Sequence, residues 1–137
     1  MNPKWHSLYL DIAERLAEES HAVRLKVGAV FVSPDGIMST GINGLPAGGS
    51  NACESEICGE LVTLPTVNHA EENLFGKIMQ QGISSKGGTI YLTHAPCMQC
   101  AKIIVVAGIS AVYYIHDYKN NPGNAWLTFN NIKVIKG

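Results

Sequence analysis

The sequence predicts a single α/β domain in which a mixed sheet of about five strands carries helices on both faces. Apolar residues recur at helical spacing near the amino terminus, compact apolar runs bounded by turns follow, and strands alternate with helices in the second half. Such alternation implies parallel strands joined by right-handed crossovers. The 137 residues suit one compact domain, residues 1–137, with a core of its own.

The first half of the chain predicts one helix, one hairpin and one long loop. Helical spacing of apolar residues extends over residues 3–20. The apolar run 27–32, the turn 33–36 and the second strand 37–42 form the hairpin. The segment 43–68 is polar and rich in glycine, and we expect it to be a functional loop.

The second half predicts three helices and three strands in alternation. The predicted strands cover residues 89–93, 111–115 and 132–135. The predicted helices cover residues 69–81, 97–107 and 124–130, with Asn68 as the N-cap of the first.

Composition narrows the classes of partner. The formal net charge is −1, so no broad positive field favours nucleic acid or an anionic membrane as a partner. The longest apolar stretch, 103–108, is far too short to span a bilayer, and the amino terminus lacks the apolar run of a secretory signal. We therefore expect a soluble cytoplasmic protein, in the host cytoplasm if a phage encodes it. In a reducing compartment the four cysteines favour metal binding over disulfides.

A split motif carries the chemistry. It consists of His69-Ala70-Glu71 and, further along, Pro96-Cys97-Met98-Gln99-Cys100. His69, Cys97 and Cys100 are three metal ligands of the kind that Zn²⁺ prefers, and each half of the motif opens a predicted helix. Three protein ligands leave a coordination position open for water, which distinguishes a hydrolytic zinc site from a closed structural one. Glu71 is badly placed to be a fourth ligand, and we predict that it is the catalytic proton carrier.

Each half of the motif is ambiguous alone. A lone His-x-Glu predicts nothing, and a lone Cys-x-x-Cys also fits a redox pair. The two halves together, in this order, are the signature of zinc deaminases. The remaining histidines, His6, His94 and His116, are interpreted as structural or exposed, with His94 close enough to the metal strand to support the site indirectly.

The surrounding sequence resembles the cytidine and deoxycytidylate deaminase superfamily. The resemblance is carried by His69-Ala70-Glu71-Glu72-Asn73, by Tyr91-Leu92-Thr93 ahead of Pro96-Cys97, and by the segment 27–30. The segment 41–49 is similar to the glycine-rich loop of deoxycytidylate (dCMP) deaminases, especially short phage and bacterial ones. This resemblance implies the three-layer α/β/α fold of the superfamily and the hydrolysis of dCMP to dUMP and ammonia.

The resemblance also implies roles for substrate-binding residues. Asn43 would bond the sugar, although an Asn-Gly turn is an alternative interpretation. Ala70 and Thr93 would line the base pocket, mostly through backbone groups, and Tyr118 would cover the base and sugar. The phosphate would meet Arg24, whose planar fork suits it, with Lys26 and Lys119 as further candidates.

Regulation and assembly are likewise implied by the resemblance. Related enzymes are often activated by dCTP, inhibited by dTTP and hexameric, and Mg²⁺ would accompany a triphosphate effector. The segment containing Pro46, Gly48 and Gly49 could offer backbone amides to effector phosphates. Some relatives hold a second, structural zinc ahead of the catalytic histidine. Only Cys53, Cys58 and the distant His21 are candidates here, and we expect a single zinc.

Three competing hypotheses remain open at the level of sequence. A nucleoside deaminase would share the metal motif without needing Arg24. A tRNA adenosine deaminase would share it too, but would carry a more basic surface. A zinc module without catalytic activity would have no use for Glu71.

Overall fold

The protein was analysed as a computed structural model that describes residues 3–45 and 52–137. Within these ranges the chain forms four helices and seven strands. The helices are α1 (Pro3–Ala17), α2 (Ala70–Gln81), α3 (Met98–Val106) and α4 (Pro122–Phe129). The strands are β1 (Gly28–Val32), β2 (Met38–Ile42), β3 (Glu54–Ile57), β4 (Glu60–Thr63), β5 (Thr89–His94), β6 (Ala111–His116) and β7 (Lys133–Lys136).

The main sheet has five strands in the order β2-β1-β5-β6-β7. β1 pairs antiparallel with both β2 and β5. β5, β6 and β7 run parallel to one another, connected through α3 and α4. The predicted mixed sheet and its parallel second half are therefore confirmed.

Two separate cores show that helices cover both faces of the sheet. On one face, Leu10 and Ala13 of α1 pack with Val30 and Val32 of β1 and with Tyr91 of β5. The alternate residues of the same strands point to the other core. That second core holds Phe31 and Leu92 together with residues of α2, α3 and α4, namely Leu74, Ile104 and Leu127. The three-layer α/β/α arrangement is confirmed.

Helix α2 lies unusually close to the sheet, which determines where its amino-terminal end sits. A β-carbon at Gly41 in β2 would overlap the Ala70 carbonyl oxygen and the Leu74 amide nitrogen. Glycine is therefore required at this position for close packing, and the first turn of α2 is held directly over β2.

The segment 43–68 is not simply a loop, and the prediction is corrected here. β3 and β4 form a two-stranded antiparallel hairpin that is not part of the main sheet. Its strands are only four residues long and almost entirely exposed, and their apolar residues Ile57, Leu61 and Val62 form neither a long run nor a regular alternation that would predict a strand. The hairpin turns at Cys58 and Gly59, whose φ angles are 54° and 81°. Positive φ at both central residues is typical of a tight hairpin turn.

Several element boundaries also differ from prediction. α1 ends at Ala17 rather than Ser20, because the backbone forms turn hydrogen bonds there, from the Glu19 N–H to the Leu16 carbonyl and from the Ser20 N–H to the Ala17 carbonyl. The N-cap of α2 is His69 rather than Asn68, whose side chain instead bonds Asn73 at 3.0 Å. Among the described residues, no helix combines the length and apolar character needed to cross a membrane.

Candidate active site and metal centre

The amino-terminal ends of α2 and α3 bring the two halves of the split motif together. His69 is the N-cap of α2, and Glu72 accepts a hydrogen bond from the His69 backbone N–H at 2.7 Å. Cys97 is the N-cap of α3, and its sulfur accepts from the Cys100 backbone N–H at 3.5 Å. Both ligand sets thus lie where unpaired helix N–H groups and the helix dipole stabilise negative charge.

The three predicted metal ligands converge. The His69 Nδ1 atom lies 3.3 Å from the Cys100 sulfur and 3.5 Å from the Cys97 sulfur. All three donor atoms lie within 4.8 Å of one another. Bonds of about 2.0–2.3 Å from a nitrogen and a sulfur to one tetrahedral Zn²⁺ place those atoms roughly 3.5 Å apart. The donor set therefore fits zinc in both chemistry and spacing.

The protonation of these three side chains is strongly coupled. Hydrogen bonding from Cys100 and from His69 lowers the pKa of Cys97 to about 4, so Cys97 is a thiolate. The same Cys97–Cys100 hydrogen bond, together with burial, raises the pKa of the Cys100 thiol. The bond to Cys97 raises the pKa of His69 to about 9. Binding of zinc to these groups would therefore release protons.

Glu71 is a buried carboxylate beside the metal ligands. Its residue is only 4% exposed, in the first turn of α2. Burial raises the pKa of Glu71 to about 7. A buried carboxyl group beside the metal ligands is placed where a general acid–base would be needed, and this role of Glu71 stays a prediction.

A cavity of about 700 Å³ opens onto Glu71, His69 and Cys97. Five residues predicted to bind substrate also line it, although they come from distant parts of the chain: Arg24, Asn43, Ala70, Tyr118 and Lys119. A volume of this size accommodates a small organic ligand.

Cations and acids both occur around the cavity. Besides Glu71, two carboxylates line it and both have partners: Asp117 pairs with Lys136 at 2.7 Å, and Glu54 accepts hydrogen bonds from backbone N–H groups. Within residues 3–45 and 52–137, neither Arg24 nor Lys119 is recorded in a salt bridge. The cavity therefore offers two cations to an anionic ligand.

Lys119 reaches the cavity through an unusual turn. Lys119, Asn120 and Asn121 all have positive φ, at 47°, 61° and 51°. Asparagine tolerates this left-handed region, whereas lysine is strained there. The turn is held by the Asn121 side chain, which accepts from the Tyr118 N–H at 2.7 Å and donates to Asp117 at 2.9 Å. These bonds place Tyr118 and Lys119 side by side at the cavity wall.

The Asn43 side chain is already occupied with backbone groups. Its oxygen accepts from the Val27 N–H at 2.9 Å, and its nitrogen donates to the Leu25 carbonyl at 2.7 Å. Asn43 thus stabilises the segment ahead of β1 as well as lining the cavity. Its role in binding sugar stays a prediction.

The remaining predicted site residues lie elsewhere. Lys26 and Thr93 line a neighbouring cavity of about 520 Å³, which shares His94 and His116 with the one that contains Glu71. The Thr93 hydroxyl accepts from the Gly28 N–H at 3.1 Å and bonds His94 Nδ1 at 2.9 Å. Their contacts with substrate also stay predictions. Pro46, Gly48 and Gly49 lie outside the described residues.

Several residues of the catalytic cavity were not assigned to it from the sequence, among them His116, Glu54 and Thr63, and His94 was placed only near the metal strand. His94 and His116 stand opposite each other at the ends of the parallel strands β5 and β6, and both line it. Glu54 and Thr63, from the unpredicted hairpin, line it too. For the histidines, the signal was their position at strand ends; for the hairpin residues, the sequence offered none.

The candidates for a second zinc do not assemble into a comparable site. Cys53 is buried, whereas Cys58 is exposed at the hairpin turn. In the part of the chain that the structure describes, His69, Cys97 and Cys100 form the one group of three or more side chains spaced to hold a metal.

Comparison with known proteins places this geometry in context. The family model described as the cytidine and deoxycytidylate deaminase zinc-binding region matches residues 3–116. ComE operon protein 2 of Bacillus subtilis is 38% identical over 86% of this chain, which spans 62% of that relative's length. The deoxycytidylate deaminase of Mycobacterium phage D29 is 33% identical over 82% of this chain and 94% of its own.

A solved structure shows the same fold over the full length. The crystal structure of dCMP deaminase from cyanophage S-TIM5, in complex with dCMP and dUMP, matches with a TM-score of 0.92. It is 36% identical and covers 100% of this chain and 99% of its own.

Proposed function

The chain belongs to the cytidine and deoxycytidylate deaminase family, and we propose that it catalyses the zinc-dependent hydrolysis of dCMP to dUMP and ammonia. The observation that carries this proposal is one cavity that joins the zinc-binding triad and buried Glu71 to the cations Arg24 and Lys119. A nucleoside monophosphate would use both parts of such a cavity, because its base would react at the metal site and its phosphate would bind the cations. The relatives that act on dCMP, and the structure that binds it, support the same substrate.

The proposed chemistry follows from the residues at the end of the cavity that contains Glu71 and the metal ligands. Zinc, when held by His69, Cys97 and Cys100, supplies a Lewis acid that allows water to act as a nucleophile near neutral pH. Glu71 takes one proton from the attacking water and gives it to the ring nitrogen, and it then takes the remaining proton of the added hydroxyl group and gives it to the departing amine. One carbon–oxygen bond forms and one carbon–nitrogen bond breaks, so that dCMP and water become dUMP and ammonia.

The open end of the cavity would bind the nucleotide. Arg24, Lys119 and Tyr118 line this cavity. In the proposed complex the two cations would meet the phosphate, and Tyr118 would offer an aromatic surface to the base and sugar. The half-buried wall contributed by His94 and buried Ala95 would limit the space around the ring. This division of roles favours a monophosphate over a free nucleoside.

We extend the proposal to regulation and assembly. Activation by dCTP, with Mg²⁺, inhibition by dTTP and a homohexamer are supported by the family resemblance alone. The placement of the reaction in the supply of dTTP precursors rests on the same resemblance.

A substrate panel tests the proposed function. Ammonia release is measured from dCMP, dCTP, deoxycytidine and cytidine, each with and without dCTP and dTTP. We expect dCMP to be used best, because only a monophosphate satisfies the zinc end and the cationic end together. Equal rates on dCMP and deoxycytidine would contradict the phosphate role of Arg24. Rates unaffected by either triphosphate would contradict the proposed regulation.

A further inference from the structure

Arg24 lies in a segment that has no regular structure of its own. It stands between α1 and β1, is exposed, and lines the catalytic cavity. An arginine in such a segment has many accessible side-chain and backbone conformations, and binding phosphate would require most of them to be lost. Anything that restricts Arg24 beforehand improves its use as a phosphate ligand.

The backbone of this segment is held by the hairpin. A single Glu54 carboxylate oxygen, Oε2, accepts hydrogen bonds from the Val23 N–H at 2.8 Å and the Arg24 N–H at 3.0 Å. Hydrogen bonds to an ionised carboxylate are stronger than neutral ones. The next residues are held by Asn43, through Leu25 and Val27. The backbone before and after Arg24 is thus held by hydrogen bonds to the side chains of Glu54 and Asn43.

The guanidinium group of Arg24 is held by the same hairpin. Its Nη1 donates to the Thr63 hydroxyl oxygen at 3.0 Å. This bond uses one of the five N–H groups of the guanidinium and leaves the others for a ligand. Glu54 and Thr63 stand directly opposite each other in the register of β3 and β4. One cross-strand pair therefore holds both the backbone and the side chain of Arg24.

We propose that Glu54 and Thr63 are positioning residues that hold Arg24 ready for the substrate phosphate and so contribute to the selection of monophosphate over nucleoside. The inference rests on the proposed function, because it requires a phosphate at Arg24. Glu54 and Thr63 themselves line the cavity, but they act through Arg24. Glu54 accepts hydrogen bonds from two backbone N–H groups, and these bonds offset part of the repulsion between its negative charge and a phosphate.

The test compares kcat/KM for dCMP with kcat/KM for deoxycytidine, here called the phosphate preference, in the zinc-loaded protein. Arg24→Ala should lower this preference by about 100-fold, as expected for loss of a charge-assisted contact. Thr63→Val keeps the shape and removes the hydroxyl, and should lower it by about 3- to 10-fold, mainly through KM for dCMP. Thr63→Ser restores the hydroxyl and should recover the preference to within about twofold.

Glu54 is tested in the same way. Glu54→Ala should lower the phosphate preference by about 10-fold, because two backbone N–H groups lose their acceptor. Glu54→Gln keeps an acceptor oxygen and should retain most of the preference. Glu56→Ala is the matched control, since Glu56 is an exposed glutamate on the same strand and makes none of the recorded contacts with Arg24. It should leave the preference unchanged.

Coupling between the residues separates positioning from general destabilisation. Because Thr63 acts through Arg24, the Arg24→Ala/Thr63→Val double variant should show no further loss of preference than Arg24→Ala alone. If Arg24→Ala lowers the preference while Thr63→Val and Glu54→Ala do not, the positioning role is overturned and the proposed function stands. If Arg24→Ala leaves the preference unchanged, the phosphate role of Arg24 fails and the positioning role fails with it. Equal losses with dCMP and deoxycytidine in the Thr63 and Glu54 variants would also overturn it.

Discussion

At the scale of single residues, the presence of Glu71 distinguishes the hypothesis of an enzyme from that of a zinc-binding module without catalytic activity. A closed structural zinc site would gain nothing from an additional carboxylate buried beside the ligands. Removing a carboxylate from water is costly, and the raised pKa of Glu71 is the consequence. This unfavourable burial lies at the wall of the catalytic cavity, which is where the proposed proton carrier would be needed.

Glu71→Gln should abolish most turnover while keeping the metal. The amide has nearly the same shape but cannot carry a proton, so we expect kcat/KM for dCMP to fall by about 100-fold or more. Zinc content, measured by elemental analysis, should match that of the unchanged protein. Glu60→Gln, the same substitution at an exposed site, is the control and should retain full activity. An active Glu71→Gln variant would rule out the assigned role.

The metal ligands were predictable because their relationship is local. Cys97 and Cys100 are three residues apart at the start of one helix. Their sulfur atoms therefore lie on the same side of that helix, and this proximity does not depend on the tertiary structure. His69 and Glu71 are only two residues apart, as the N-cap and a first-turn residue of α2, so both lie at the amino-terminal end of that helix. The pairing of the two helix ends was inferred from the motif and is confirmed by the distances in the structure.

At the scale of elements, strongly patterned segments were predicted and weakly patterned ones were not. The buried strands β1, β5 and β6 carry continuous or alternating apolar residues, and the predictions for them are confirmed within one or two residues. The β3–β4 hairpin has an exposed surface on nearly every residue, so no burial pattern marks it. Its contacts with Arg24 are made by side chains that look ordinary in the sequence.

The interface between α1 and the sheet contains a histidine with an unusual environment. The His6 ring bonds the Tyr91 hydroxyl at 2.7 Å and the Tyr113 hydroxyl at 3.2 Å. Burial, with a contribution from the cation Lys133, lowers the pKa of His6 below its ordinary value of 6.5. The folded protein therefore favours the neutral imidazole, and a neutral ring can donate to one hydroxyl and accept from the other.

His6 should make stability depend on pH in a defined direction. Its contribution is present above the unfolded pKa near 6.5 and is lost as the pH falls from there through the lower folded-state value. We expect the melting temperature to drop more between pH 7.5 and pH 5 in the unchanged protein than in His6→Gln, which cannot titrate. Identical drops in the two proteins would show that His6 does not couple folding to pH.

At the scale of the whole molecule, the metal site is an addition to a fold that has its own cores. The two apolar cores on the two faces of the sheet do not include His69 or Cys97. Zinc nevertheless binds only when the ends of α2 and α3 are in place, so it should stabilise the folded state by mass action.

Removal of zinc should lower the melting temperature without unfolding the protein. We expect a decrease of about 10 °C on chelation, recovered when zinc is restored, because a bound ion of high affinity adds a few kcal/mol to stability. Cys100→Ala should remove this difference, whereas Cys58→Ala, at an exposed cysteine outside the site, should preserve it. Equal melting temperatures with and without zinc would contradict coupling of the site to folding.

From the sequence, the fold class was predicted by periodicity, and the candidate zinc ligands and Glu71 were predicted by residue types at close spacing at the starts of two helices. The family was inferred from the resemblance of these motifs, and the family match confirms it. Which residues from distant parts of the chain line the same cavity could be seen only in the tertiary structure. In the structure, Arg24, Asn43, Tyr118 and Lys119 line the same cavity as Glu71, whereas Lys26 and Thr93 line another. Glu54 and Thr63, from a hairpin that the sequence pattern did not predict, line the first cavity as well. These residues are far apart in the chain, and their positions depend on tertiary contacts that no local pattern reveals. Those contacts include the close packing of α2 on Gly41, the order of the strands in the sheet, and side-chain hydrogen bonds to backbone groups such as that of Glu54 to the Arg24 N–H.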